Sequence, residues 1–515
     1  MLKKLLSLVF TLLAWAATVS VPLLAVWVAS SLAAYHFGMA RAAVGVGLLF
    51  FPVFPILWDF RAERRRRKRG DERERILRRS DRVLMRTFAV NAVLVASMFY
   101  FVPAQVFTAT SARGDWFLDD ANGPVAEQCR EVVLKGALGL EWLYEWTVEN
   151  PYGEMADGEV GTGEDVDPDA QAPVLTEPDE PDLEPLPDSE PLPEGVEDEA
   201  KPDFGGGGNT DEALRSDGRV LPGDRMWPLS ATVHPAVTAM PVTAKRSLDS
   251  VAAYLAANTQ GEADLAKAVH DFVALHVEYD AAALEMDWRS RAPQDAATVF
   301  RSGRGVCAGY ANLYAVVATR AGLNALYIVG DSRSATTGEV ADVGHAWNVV
   351  KVNGAWYHID ATWNSGGVSD GHFEERYSTD YLFTPAHIFG ETHYPDNPQW
   401  QLMSNPIDRT AFARRLIVRP GFHAAGLQIL QPTTWPTETG SSARVVIDNP
   451  GAESIWLQIS RPNSDEKTEC ARPSDSSRID VSCDVPSRGQ WIVHVLVEGE
   501  GERMFWTEAG LRFVR

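Results

Sequence analysis

The first 110 residues alternate between stretches that are apolar on every side and a block of charge, and the rest of the chain is apolar on one face at a time. Residues 5–34 form a long apolar run behind Lys3 and Lys4, residues 42–59 form a second that holds two prolines, and Phe88 to Phe107 form a third interrupted by Asn91 and Gln105. A helix that crosses a bilayer needs roughly 20 such residues, so three transmembrane helices are predicted over 1–110. The first run is about twice as long as the apolar core of a cleavable signal, which argues for a retained span. Segment 111–150 spaces its apolar residues three and four apart, with Trp142 and Trp146 among them, as expected of an amphipathic helix at the membrane surface.

Residues 151–200 contain no lysine or arginine and consist largely of Glu, Asp and Pro. Too little apolar surface is present to offset the entropy of ordering such a stretch. Segment 151–214 is therefore predicted to be a disordered linker, extended by like charges and prolines, that holds the following domain away from the bilayer.

Helical spacing returns over Ala244 to Asn258 and Glu262 to Leu275, then again from Ala308 to Ala321 with Gly322 as a stop. Ala325-Leu-Tyr-Ile-Val reads as a buried strand. His345 to Val352 and Ala355 to Thr362 flank Asn353-Gly354, a sequence that calls for a two-residue type I′ hairpin turn. That turn sets Val352 opposite Ala355, Val350 opposite Tyr357 and Trp347 opposite Asp360. Helices followed by an antiparallel sheet make an α+β domain over 215–410. After Asp408 the pattern becomes short strands at 427–430, 443–447, 454–459, 478–483 and 491–497, which predicts a β-sandwich of immunoglobulin type over 411–515.

Charge changes the picture in the N-terminal part. The net charge of −23 averages an acidic linker with a basic block, Arg61-Ala-Glu-Arg-Arg-Arg-Arg-Lys-Arg. Because that block lies in a short loop, 60–86, between two predicted spans, the positive-inside rule explains it better than nucleic-acid binding does. The amino terminus and the loop are then cytoplasmic, the soluble domains lie on the extracytoplasmic side, and the protein is a multi-pass protein of the cell membrane. The cysteines are Cys129, Cys307, Cys470 and Cys483. A disulfide between Cys470 and Cys483 is open in an oxidising compartment, although spacing alone does not show whether the side chains meet.

Candidate chemistry centres on Cys307, which follows Gly303-Arg-Gly-Val and opens the helix from Ala308. Helix N-terminal N–H groups and the helix dipole favour a thiolate there, whereas a lone buried cysteine is more often structural. The hairpin register decides between the two. His345 and Asp360 share a face as diagonal neighbours, so a carboxylate can take one imidazole nitrogen and leave the other for the thiol. The spacing allows a Cys307–His345–Asp360 triad. His358 lies on the same face and is read as structural, as are His387 and His393. For the oxyanion, the Cys307 N–H is one donor, and Gln294 is the candidate for a second. No metal-binding spacing and no phosphate loop is present, so neither a metal nor another cofactor is expected.

Gly-Val-Cys307-Ala-Gly-Tyr, Gly-His345-Ala-Trp-Asn and His-Ile-Asp360-Ala-Thr-Trp together resemble the three core motifs of the transglutaminase-like cysteine enzymes. Tyr381-Leu-Phe-Thr-Pro and the stretch from His393-Tyr-Pro to Pro398-Gln-Trp-Gln-Leu resemble the branch that contains kyphoscoliosis peptidase. The likeness spans roughly 230–515. It implies a transglutaminase-like (papain-like) core followed by a β-sandwich, and a protein or peptide substrate attacked at an amide carbonyl to give a thioester. It also implies Trp288 as the alternative to Gln294 for the second oxyanion donor. Hydrolysis of peptide or isopeptide bonds, crosslinking transamidation, and a silent peptide-binding scaffold remain alternatives. A partner protein at the C-terminal sandwich is the usual use of such a module.

Overall fold

The computed structural model describes residues 2–37, 44–45, 53–69, 78–118, 124–140, 152, 155, 219–220, 226–284, 286, 288–334, 344–369, 371–462, 464, 466–498 and 505–515. The N-terminal part consists of helices α1 (Leu2–Phe37), α2 (Phe54–Lys68), α3 (Arg79–Phe101), α4 (Pro103–Arg113) and α5 (Pro124–Leu138). Among the described residues, two stretches are long and apolar enough to cross a membrane: Val19–His36 of α1, with mean hydropathy 1.4, and α3, with 1.6. The predicted second span, 42–59, lies mostly outside the described residues, and its described end opens α2. The third run is shifted from its predicted place. Its helix begins at Arg79 and breaks at Val102 (φ −142°, ψ 49°), because Pro103 disfavours a helical residue before it and α4 starts anew at that proline.

α3 and α4 both pack on α1. At the other end of α3 the basic helix α2 folds back on it. Buried Asp59 there accepts from Arg82 Nε at 3.1 Å and Arg86 Nη1 at 2.5 Å, with Arg79 Nε at 3.6 Å.

The predicted linker 151–214 lies outside the described residues apart from Tyr152 and Met155. The expectation that the later domains stand off from the helices is corrected by the contacts between them. Arg414 Nη1 donates to Asp115 Oδ1 at 3.1 Å, and the Ser111 and Thr410 hydroxyls meet at 3.3 Å. Gln490 donates to the Tyr35 carbonyl, and the Arg512 guanidinium lies 4.8 Å over the Tyr35 ring. Asp115, only 3% exposed, needs the Arg414 and Arg130 cations, and that requirement draws the two parts together.

The α+β core follows the predicted order. α6 (Leu248–Ala257) starts at a capping box between Ser247 and Ser250, and α7 (Glu262–His276) follows it. α8 (Ala296–Ser302) is capped by Asp295 and stops at Gly303, which takes φ +66°. α9 (Cys307–Arg320) is buried from Cys307 through Ala318. It lies against strands β1 (Asn324–Ser332) and β2 (His345–Val352) of a five-stranded sheet completed by β3 (Ala355–Ile359), β4 (Leu382–Thr384) and β5 (His393–Pro395), in the order β4-β3-β2-β1-β5. Asn353 (φ +50°) and Gly354 (φ +83°) make the turn, and Val352 pairs with Ala355 and Val350 with Tyr357. The strand ends at Ile359. Asp360 instead caps α10 (Ala361–Ser365).

α7 is anchored through buried charge. Lys267 Nζ donates to Asp271 Oδ2 at 2.5 Å, to the Thr232 carbonyl at 3.0 Å and to the Tyr377 hydroxyl at 3.1 Å. His270 joins Asp271 to Asn364 of α10, at 2.8 and 2.9 Å. Removing one partner of a buried ion pair strands the other. Lys267→Met is accordingly expected to destabilise the core by about 3–5 kcal/mol, read as a lower denaturant midpoint.

The C-terminal part is two sheets around one core. The larger holds β6 (Ile417–Val418), β9 (Ile455–Ser460), β10 (Lys467–Ser474), β12 (Gln490–Glu498) and β13 (Phe505–Val514) in the order β6-β13-β12-β9-β10, with Thr437–Glu438 also on β13. The smaller has the order β7-β8-β11, from β7 (Gln428–Gln431), β8 (Ser442–Asp448) and β11 (Arg478–Asp484). Val445 and Ile479 of the smaller sheet share a core with Leu457, Val493 and Leu511 of the larger. Cys470 on β10 and Cys483 on β11 are joined by a disulfide that ties the sheets together.

Candidate active site

The helix that opens at Cys307 is held from below by the loop before it. Gln294 Oε1 accepts the Val306 N–H at 2.9 Å, and the Gln294 carbonyl accepts from Asn312 Nδ2 at 2.9 Å. Gly309 is required by this closeness, since a Cβ there would stand 2.6 Å from Gln294 Oε1 and 2.8 Å from Val299. Cys307 is thereby fixed at the helix start, 2% exposed, against the sheet.

His345 opens β2 and reaches both partners. Its Nε2 lies 2.7 Å from Asp360 Oδ2, and the ring is close enough to Cys307 to feel the thiol, so the imidazole stands between carboxylate and thiol. Burial works against the charged ring, but the Asp360 carboxylate and the bonds to Asp360 and Cys307 outweigh it and lift His345 to about 10. Asp360 stays ionised although fully enclosed. Burial pushes its carboxyl up, yet His345 and His393 on Oδ2 pull it well below the usual carboxylate range. The Thr362 and Trp363 N–H groups bind Oδ1 at 2.8 and 3.1 Å. That fixes the carboxylate's orientation.

The sequence reads His393 as a packing residue, and the structure gives it a polar partner as well. Its Nε2 lies 3.1 Å from Asp360 Oδ2, and it stacks on Phe389 at 4.1 Å. Burial holds it down at about 4, so it is neutral at physiological pH and orients the carboxylate as a hydrogen-bond donor. No local signal could have found it, because only the pairing of β5 with β1 brings it to the triad. His345, Asp360 and His393 also offer donor atoms within 4.8 Å of one another, as a metal ion would need. Both rings instead sit at hydrogen-bond distance from one carboxylate oxygen, through the same nitrogens that an ion would take.

His358 faces the other way in function. It stacks on Phe389 at 4.2 Å with its Nε2 3.3 Å from the Gln401 carbonyl, and burial drops it to about 3. Trp347 and Trp363 rings lie 6.0 and 5.4 Å from His345 and shield it. Gln294 Nε2 donates to the Ala292 carbonyl at 2.9 Å, which ties its amide to the loop before the nucleophile. Trp288 opens the short turn Trp288–Ser290, and its side chain lies outside the described residues.

Residues 249–361, which hold Cys307, His345 and Asp360, match the family model of the transglutaminase-like superfamily, and the core of this chain belongs to that superfamily. Within it, the relatives lie in the branch suggested by Tyr381–Pro385 and the His393 stretch. The chain is 31% identical to human kyphoscoliosis peptidase over 221 residues (41% of this chain and 33% of that protein) and 30% identical to the mouse protein over 227 residues (43% and 34%). It is 26% identical to Drosophila melanogaster hillarin over 167 residues, 29% of this chain and 20% of that one. The chain thus spans about a third of the length of the two peptidases. Among solved structures, a TGase aligns at 24% identity and TM-score 0.20, covering 27% of this chain and 36% of that one. Red sea bream transglutaminase aligns at 10% and 0.22, covering 54% and 56%.

Proposed function

We propose that the chain is a membrane-anchored cysteine hydrolase that cleaves peptide or isopeptide bonds outside the cell membrane. The observation that carries this reading is the His345 imidazole held on Asp360 at 2.7 Å with Cys307 beside it. Cys307 attacks the amide carbonyl as a thiolate whose proton His345 holds. The tetrahedral oxyanion collapses to a thioester as His345 returns that proton to the leaving amine. Water then attacks the thioester, His345 takes a proton from it, and the acid leaves with the thiolate restored.

The membrane side is supported by the arrangement of the helices. The C-terminal end of α1 and the segment after α3 meet the soluble part, while the arginines of α2 gather at the opposite end of α3. The Cys470–Cys483 disulfide fits an oxidising compartment.

The test uses the full chain in detergent with a peptide library, with and without a labelled amine, read by product mass. Shortened peptides with no amine incorporated are expected. Amine incorporation in place of cleavage would make the enzyme a transamidase, and unchanged peptides would leave only a binding module.

A further inference from the structure

Tyr152 stands at the head of the acidic, proline-rich segment, yet it is 1% exposed and enclosed with Ala283, Val306, Tyr327 and Val329 against Cys307. Its carbonyl accepts from the Tyr327 hydroxyl at 2.9 Å. Its own hydroxyl lies 3.4 Å from Arg291 Nη1, and the ring packs in one cluster with Cys307. Met155 donates its N–H back to the Tyr152 carbonyl at 3.2 Å and offers its own carbonyl to Asn312 Nδ2 at 2.7 Å, on the second turn of α9. An aromatic ring and two peptide carbonyls are thus seated directly on the nucleophile and its helix.

We infer that Tyr152 and Met155 plug the Cys307 groove in cis, and that the pocket they fill is the subsite for an aromatic side chain of the peptide substrate, which enters when they withdraw. This rests on the catalytic reading of Cys307. The contacts fit a plug rather than a bond awaiting cleavage, because the phenol faces the thiol while the Tyr152 carbonyl is turned to Tyr327. They also fit a general peptide subsite. Tyr327 and Asn312 donate to main-chain carbonyls that any peptide carries, and the specific element is the ring. Burial first, then the Cys307 sulfur beside it, push the Tyr152 phenol up, so it meets the thiol as a neutral hydroxyl.

The experiment treats the full chain in detergent with iodoacetamide and follows each cysteine by peptide mass. Tyr152→Ala is expected to speed alkylation of Cys307 about tenfold or more, since the apparent rate scales with the fraction of molecules whose site is open. Cys129, an exposed thiol, should react at an unchanged rate and report an intact fold. A synthetic peptide with the sequence of residues 147–158, added at millimolar concentration, should slow Cys307 of the variant again, and the same peptide with alanine for its tyrosine should not. Equal Cys307 rates in wild type and Tyr152→Ala, or a peptide effect that is absent or independent of the tyrosine, overturn the inference. Alkylation reads access and not turnover. A variant whose Cys307 opens as expected but which turns over no peptide upholds the plug and overturns the catalytic reading.

Discussion

Cys307→Ala is expected to abolish turnover and all covalent labelling by a thiol-directed peptide probe, and His345→Ala to lower turnover by roughly 10³-fold or more. The two losses have one cause. On the proposed mechanism Cys307 supplies the bond to the acyl group, and His345 holds the thiol proton and passes it to the leaving amine. Without the ring, the thiol proton has no acceptor beside it and the amine has no proton donor. His358→Ala is the control on the same hairpin. That ring is stacked on Phe389 and points its Nε2 at the Gln401 carbonyl, so most activity should survive its loss. Rates of peptide cleavage for the three variants, with circular dichroism to confirm folding, check the assignment.

Asp360→Asn is expected to keep the fold and lower kcat/KM by about 10³–10⁴-fold, while moving the alkaline limb of the pH profile towards neutrality. The Thr362 and Trp363 N–H groups hold Oδ1 in place, so they fix the amide oxygen of the variant there and turn its NH₂ towards His345 and His393. His345 Nε2 must then accept, which puts its proton on the nitrogen meant for Cys307. The sign of the pH effect follows from the same contacts. In the wild type, burial lowers His345, but the Asp360 carboxylate outweighs it and the ring holds its proton until about pH 10. Activity that needs the imidazolium is therefore present below that pH and lost above it. Removing the carboxylate leaves only Cys307 to offset burial, so the ring loses its proton at lower pH and the limb shifts down. A pH series of kcat/KM for both proteins measures this directly.

Much of the site was legible because it depends on local signals. The Asn353-Gly354 turn fixed the hairpin register that places His345 near Asp360, and the glycines before Cys307 marked the start of its helix. The sandwich strands with alternating apolar residues were equally plain. Two were not. β10 is an edge strand, Lys467-Thr-Glu-Cys-Ala-Arg-Pro-Ser, whose charges and proline suit an edge and conceal the alternation. β13 carries Glu508, Gly510 and Arg512 among its apolar residues, which hid a strand that pairs along the whole of β12. The break at Val102 was readable from Pro103 but was masked by the apolar run around it. His393 and Tyr152 were beyond any local pattern. One reaches the triad only through the β5–β1 pairing, and the other is a single aromatic in a segment whose composition argues for disorder. The docking of the soluble part on α4 likewise depends on buried charges that meet only in the fold, such as Asp115 with Arg414.

On the proposed mechanism Cys307 carries the acyl group during turnover. The most direct test is an acid-quenched reaction of the full chain with a cleaved peptide, digested and mapped by mass. An acyl adduct on Cys307 is expected to appear before product, to be discharged on further incubation, and to be absent from Cys307→Ala. Product formed at the wild-type rate with no adduct on Cys307, or with the adduct on another residue, would contradict it.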